Sequence, residues 1–209
     1  MGMENAGRQS RAPIVAFDFD GTLTFRDSFM AFLAWRSQRS RFAAGLARLA
    51  PAALVYATTR DRARFKTAAV TEFLGGTGRA ALEAEARRFA MEMSPRLLRE
   101  DAVRCWESWR RRGARLVIVT ASPETIVQPF ARDLGADCLI GTRLAFDAAD
   151  RVTGEFEGGN CRGPEKVTRL EAVFGGGVRL EAAYGDSGGD REMLARARQP
   201  GLRVFKARR

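Results

Sequence analysis

The apolar run Ile14-Val15-Ala16-Phe17 leads directly into Asp18-Phe19-Asp20-Gly21-Thr22. A short continuous apolar run reads as a buried strand. Two carboxylates two positions apart at its end share one face, and Gly21 lets the chain turn sharply there. Burying a charge costs several kcal/mol or more unless it is paired. The pair therefore points to a hard cation that takes oxygen ligands, with a solvated acidic turn as the bland alternative.

Downstream of this strand the pattern is helical over about 25–112. The segment 42–57 is strongly apolar, with Arg48 and Pro51 inside it. Residues 61–74 read as a basic amphipathic helix closed by Gly75-Gly76, and 78–92 as another helix. Pro95 is expected to open a further helix, through Trp106 and Trp109 to Gly113. From Arg115 the pattern changes. Leu116-Val117-Ile118-Val119 reads as a strand covered on both faces. Pro123 then opens a helix, Cys138-Leu139-Ile140 a strand, and 143–157 a strand pair around Asp150. Gly163-Pro164 opens a helix, and 180–185 and 202–205 complete the strands. Alternating strands and helices predict an α/β doubly wound, Rossmann-like parallel sheet. The expected organisation is a disordered 1–11, a core of 12–24 and 113–209, and an inserted all-helical cap at 25–112.

The chain has no His among its 209 residues. That excludes a Ser-His-Asp triad, a Cys-His dyad and His-ligated zinc or iron. Proton transfer is left to carboxylates, Lys, Tyr or Cys. Cys105, Cys138 and Cys161 fit neither a disulfide framework nor a zinc pattern and suggest a reducing compartment. The formal charge of +10 favours anionic partners. The Arg residues are scattered rather than blocked, which argues against nucleic acid. No uninterrupted apolar run reaches 18 or so residues, so no membrane-spanning helix is expected.

In open α/β sheets ligands bind at the carboxyl ends of the strands. Those ends carry Asp18 and Asp20, then Thr120-Ala121-Ser122, then Gly185-Asp186-Ser187-Gly188-Gly189-Asp190; Lys166 opens a helix between them. Asp18, Asp20 and Asp186 can ligate Mg²⁺. A hydroxyl, helix-start N–H groups and a Lys can hold a phosphate. Each residue has a plainer reading. Thr120 can be a buried strand residue, Lys166 a surface Lys with Arg162 and Arg169 as rivals, and Asp190 a helix-dipole charge. Capping accounts for Ser122 and Ser187.

The ordered set of four motifs resembles the haloacid dehalogenase superfamily, in its phosphoserine-phosphatase-like branch with a small helical cap. The resemblance implies a Mg²⁺-dependent phosphatase that works through an aspartyl-phosphate. Asp18 would be the nucleophile. Asp20 would protonate the leaving alkoxide and then deprotonate water, with its carbonyl on the metal. Thr120 would bind a phosphate oxygen beside Gly21 and Ala121, Lys166 would neutralise charge, and Asp186 and Asp190 would complete the metal site. Asp27 is a candidate for an amino group of the substrate or an N-cap.

The stretches Asn160-Cys161-Arg162-Gly163-Pro164-Glu165-Lys166, Thr120-Ala121-Ser122-Pro123, Arg64-Phe65-Lys66 and Asp27-Ser28-Phe29 resemble the phosphatidylglycerophosphatase C type. That implies a lipid head group, phosphatidylglycerophosphate, as substrate, with Arg64 and Lys66 as cap residues near it. A soluble phosphomonoester such as phosphoserine is the alternative, and a non-catalytic phosphate- or nucleic-acid-binding module the remote one. The segment 42–57 either lies peripherally on a membrane, flanked by Arg36, Arg39, Arg41, Arg60, Arg62 and Arg64, or forms the buried heart of the cap. The expected location is the cytoplasm, with peripheral contact at the inner face of the membrane.

Overall fold

A computed structural model describes residues 12–59 and 61–206. The expectation for 1–11 lies outside the described residues. The sheet has six strands in the order β4-β3-β2-β1-β5-β6. They are β1 (Ile14–Phe17), β2 (Arg115–Pro123), β3 (Cys138–Phe146), β4 (Val152–Glu157), β5 (Leu180–Gly185) and β6 (Ala197–Leu202). All neighbours pair parallel except β4, which runs antiparallel to β3.

The strand β1 is central because both its faces are apolar. Val15 and Phe17 point into one core cluster and Ala16 into the other. On β2, Leu116 and Ile118 share the first cluster and Val117 and Val119 the second, as the two-residue period requires. Among the described residues, six α-helices separate β1 from β2: α1 (Ser28–Arg36), α2 (Arg39–Arg48), α3 (Ala50–Thr59), α4 (Arg62–Leu74), α5 (Arg79–Leu97) and α6 (Glu100–Arg111). After β2 come α7 (Glu124–Asp133), α8 (Pro164–Phe174) and the short α9 (Arg191–Leu194). On α6, Trp106 packs its ring 5.0 Å from that of Phe17. Its indole N–H donates to the Leu134 carbonyl at 3.0 Å, so a large buried ring keeps its polar atom satisfied.

Three boundaries differ from the sequence expectation. The strand expected from Cys138 and the first of the pair expected in 143–157 are one strand, β3, and only β4 follows it before α8. Pro95 does not open a helix; it lies in the last turn of α5, which runs on to Leu97. The break falls at Leu98, which bridges Thr24. Phe25 N–H donates to the Leu97 carbonyl and Arg99 N–H to that of Leu23. A tertiary pairing, rather than the proline, ends the helix. The last strand is Ala197–Leu202, not 202–205. It is an edge strand paired only with β5, where polar residues and Pro200 are tolerated.

The apolar segment 42–57 folds as α2 and α3, bent by 48°. Within it only Gly45 and Leu49 are buried, while Leu54 is 70% exposed. The reading of this stretch as the buried heart of the cap is therefore not what the fold shows. No single described helix is long and apolar enough to cross a membrane; the bent pair together reaches that length and composition.

Candidate active site

The carboxyl ends of β1, β2 and β5 converge on one cavity of about 530 Å³. After Asp18 the chain makes a single wide turn over Phe19–Leu23. Phe19 and Leu23 are fully buried and anchor the turn. Gly21, at φ 79°, supplies the left-handed step that a side chain rarely adopts. The turn leaves Asp18 and Asp20 on the cavity wall.

Lys166 reaches in from the first turn of α8. Its Nζ donates to Asp18 Oδ1 at 2.6 Å, to Asp190 Oδ1 at 2.6 Å and to the Val119 carbonyl at 2.7 Å. All three donors are used, on a side chain only 2% exposed. Burial opposes the charge, but Asp18 and Asp190 outweigh it and hold the ammonium above the ordinary lysine range. The rival Arg169 faces elsewhere, bonding Glu165 and the carbonyls of Gly158 and Gly159.

Asp190 is the most constrained of the acids. Its Oδ1 takes Lys166, and its Oδ2 accepts from Ser187 N–H and Ser187 Oγ at 3.0 Å each. Burial raises its pKa, yet Lys166 and the Ser187 donors hold it below the usual carboxylate value. Ser187 is the cap the sequence suggests; its Oγ accepts from Gly189 N–H at 3.2 Å.

The carboxylates of Asp18, Asp186 and Asp190 each offer an oxygen, all within 4.8 Å of one another. Asp18 is pushed up to about 7, by burial first and then by Asp190 and Asp20, against the pull of Lys166. Asp186 is raised by burial and by Asp190. Lys166, with Arg203 acting on Asp186, does not bring Asp18 and Asp186 back to the ordinary carboxylate range. An all-oxygen set with surplus negative charge fits a hard divalent cation.

Asp20 is separate from that set. Its Oδ1 accepts from Ser28 N–H at 2.7 Å and its Oδ2 from Ser122 Oγ at 2.5 Å. Its carboxylate is turned to these donors, so the side-chain cluster for a metal is Asp18, Asp186 and Asp190. Burial and then the charge of Asp27 raise the Asp20 pKa, against the hydrogen bonds from Ser122 and Ser28.

The other expected residues divide. Gly21, Asp27, Lys66 and Ala121 line the cavity. Asp27 also caps α1, accepting from Met30 N–H at 2.8 Å, so both of its readings are compatible. The Ala121 carbonyl accepts from Lys66 Nζ at 2.6 Å. Thr120 lies behind the wall, fully buried, and its hydroxyl accepts from Ser122 N–H at 3.0 Å. Arg64 is exposed and lines a separate outer groove with Pro51, Val55 and Ala68, so it is not a cavity residue. It follows Asp61, which caps α4, and that register turns it away from the wall that Lys66 occupies.

Sequence reasoning gave Ser122 only a capping role, and its contact with Asp20 spans 102 positions. It also missed the apolar wall of Phe25, Phe29, Met30, Tyr56 and Phe65. Helical apolar spacing alone does not separate a ligand-facing wall from core. Arg162, given no site role in the sequence beyond that of a rival to Lys166 and a member of the Asn160–Lys166 stretch, lies against the backbone of Gly189 and also lines the cavity.

The sequence profile of the haloacid dehalogenase-like hydrolases matches residues 15–195. The chain belongs to that family. It is 54% identical over 203 residues to Protein CicA of Caulobacter vibrioides, covering 97% of this chain and 91% of the relative. A Bordetella pertussis Tohama I protein of unknown function superposes with a TM-score of 0.76 at 21% identity, over 91% of this chain and 89% of that one. A phospho-aspartyl intermediate analogue of phosphoserine phosphatase superposes with a TM-score of 0.56 at 20% identity, over 91% and 86%. At such identities these structures establish a shared fold.

Proposed function

We propose that this hydrolase cleaves phosphomonoesters through a covalent phosphate on Asp18. The observation that carries the reading is the different environment of two carboxylates on one cavity. Asp18 is held by an ammonium through Oδ1, while among the described residues Oδ2 has one hydrogen-bond contact, from Thr22 Oγ1 at 3.4 Å. Asp20 makes its bonds to neutral donors. Paired acids in divergent environments mark a division of roles.

In the first step Asp18 Oδ2 attacks phosphorus and the ester P–O bond breaks. Asp20 gives its proton to the departing alkoxide. In the second step water attacks phosphorus and loses a proton to Asp20, and the bond from Asp18 to phosphorus breaks. Phosphate leaves, and both carboxyl groups return to their starting states. Lys166 offsets charge at Asp18, and Gly21 and Ala121 stand beside the phosphoryl group. Asp18, Asp186 and Asp190, with the Asp20 carbonyl, would hold Mg²⁺, which supplies charge neutralisation for phosphoryl transfer. No step needs a histidine.

For the substrate, we favour a phosphorylated lipid head group, phosphatidylglycerophosphate. The support is the apolar wall from Phe25 to Phe65 and the solvent-facing apolar α3 beside it, which has no buried residue. In this reading α2 and α3 lie peripherally on an anionic membrane. Asp27 on the cavity wall favours a second reading, a soluble amino-bearing phosphomonoester such as phosphoserine. The Asp18→Asn variant should lose at least about 10³-fold in kcat on an aryl phosphate while keeping its circular dichroism spectrum. Activity near wild type would overturn the mechanism. A panel holding phosphatidylglycerophosphate and phosphoserine decides between the substrates.

A further inference from the structure

The helical segment sends Lys66 from α4 into the reaction cavity. Its Nζ donates to the Ala121 carbonyl at 2.6 Å and lies 5.8 Å from the centre of the Phe29 ring. The same carbonyl accepts from Thr142 Oγ1 at 2.6 Å. On the other side of that peptide, Ser122 N–H donates to Thr120 Oγ1 at 3.0 Å. The Ala121–Ser122 peptide is therefore gripped at both its oxygen and its N–H. The Ser122 side chain, which starts from this peptide, donates to Asp20 Oδ2 at 2.5 Å. Ser28 N–H, at the start of α1, fixes Oδ1 at 2.7 Å.

An amine is an expensive way to hold a carbonyl. Burial disfavours its charge and lowers the Lys66 pKa, and only the fields of Asp20, Asp27 and Asp18 oppose that. A group kept at such cost inside a reaction cavity has a task there. We propose that Lys66 is a positioning residue for Asp20. From α4 it locks the Ala121–Ser122 peptide, so that Ser122 holds the Asp20 carboxyl where it can protonate the leaving oxygen. This rests on Asp20 being the proton donor. It extends the acid–base site to a residue 46 positions further along the chain, in the helical segment.

The chemistry gives a readout that a merely structural lysine would not move. General acid catalysis contributes about 10²–10⁴-fold, and it does so only where the leaving group needs a proton. An alkoxide needs one; dinitrophenolate does not. A displaced acid therefore slows alkyl phosphates and spares dinitrophenyl phosphate. The ratio of the two rates comes from one preparation, so a partly unfolded variant does not disturb it.

The test measures kcat/KM for both esters in wild type, Lys66→Met, Lys66→Arg and Ser122→Ala. Lys66→Met should lose roughly 10–100-fold on the alkyl ester, a part of the general-acid contribution, and less than about threefold on the dinitrophenyl ester. Lys66→Arg should recover part of the loss. Ser122→Ala should show the same selectivity, and the double variant should be no worse than the worse single one. Equal losses on both esters would mean that Lys66 binds the phosphoryl group or only supports the fold, and would overturn the proposal. No loss on either ester would overturn it too. A wild type inert toward both esters would instead refute the phosphomonoesterase reading beneath it.

Discussion

The carboxyl group of Asp186 fills the space where a side chain on Gly21 would begin: a β-carbon there would lie 2.6 Å from Asp186 Cγ. The missing side chain on β1's turn is what admits the acid from the end of β5. Gly21 also has φ 79°, so any L residue is strained there. Gly21→Ala should cost about 1–3 kcal/mol through strain alone. By pushing Asp186 away from Asp18 and Asp190 it should also weaken Mg²⁺ activation. Thermal unfolding checks the first effect and the Mg²⁺ concentration for half activity the second. An unchanged Mg²⁺ requirement would exclude Asp186 from the cation site.

The acid cluster makes stability depend on pH in a defined direction. Asp18 titrates at about 7 in the fold against 3.8 for the free group, chiefly because it is buried. A raised carboxyl pKa contributes stability that is fully present below the unfolded value. That contribution is lost as pH rises through the folded one. In EDTA the midpoint of thermal unfolding should therefore fall between about pH 4 and pH 7. Mg²⁺ should replace the lost proton, so the midpoint it adds should be larger at pH 8 than at pH 5. A gain from Mg²⁺ that is equal at both pH values would argue against a site built on Asp18.

Lys166 touches two buried carboxylates at once, with Nζ 2.6 Å from Asp18 Oδ1 and 2.6 Å from Asp190 Oδ1. Lys166→Met keeps the apolar stem and removes the charge. Breaking a buried pair from one side costs about 3–5 kcal/mol, because a carboxylate left ionised is then buried without its counter-charge. The penalty should shrink as pH falls and the carboxylates take up protons. Unfolding midpoints of variant and wild type, compared at pH 5 and pH 8, measure this, and a penalty that grows on acidification would contradict it.

The parts of the site that were legible in the sequence are those written locally. Asp18, Asp20 and Gly21 share one turn, Asp186 and Asp190 another, and Lys166 follows a Gly-Pro helix start. Each is a short spacing with a chemical reason. Of the contacts that organise Asp20, Ser28 is 8 positions away, but the others are far apart in sequence: Ser122 is 102 positions from it, and Lys66 is 55 from Ala121. No periodicity in one chain encodes such a pairing. The same holds for the fold. The doubly wound sheet followed from alternation of strands and helices. The end of α5 was misplaced because the Thr24–Leu98 bridge, not Pro95, sets it. The edge strand β6 was misplaced because an edge needs no apolar run. Composition marked 42–57 as apolar, but only packing shows which residues face out.

On α3, Leu54 is 70% exposed, and no residue of this helix is buried. Tyr56 and Phe65 line both the reaction cavity and the outer groove with Pro51 and Val55, so the apolar surface runs continuously from one to the other. Arg41 and Arg48 both pair with Glu72, which offsets part of their charge, so in the proposed membrane reading the apolar residues of α3 are the ones to test. Fully burying a leucine is worth about 1.5–3 kcal/mol, roughly 10–150-fold in partitioning. Wild-type protein should float with anionic liposomes at low salt, and Leu54→Glu should lose at least about tenfold of that binding. Turnover of a water-soluble aryl phosphate should be retained in Leu54→Glu, because Leu54 is not part of the cavity wall. Failure of the wild type to float would remove the membrane from the proposed function and leave the soluble phosphomonoester as the substrate.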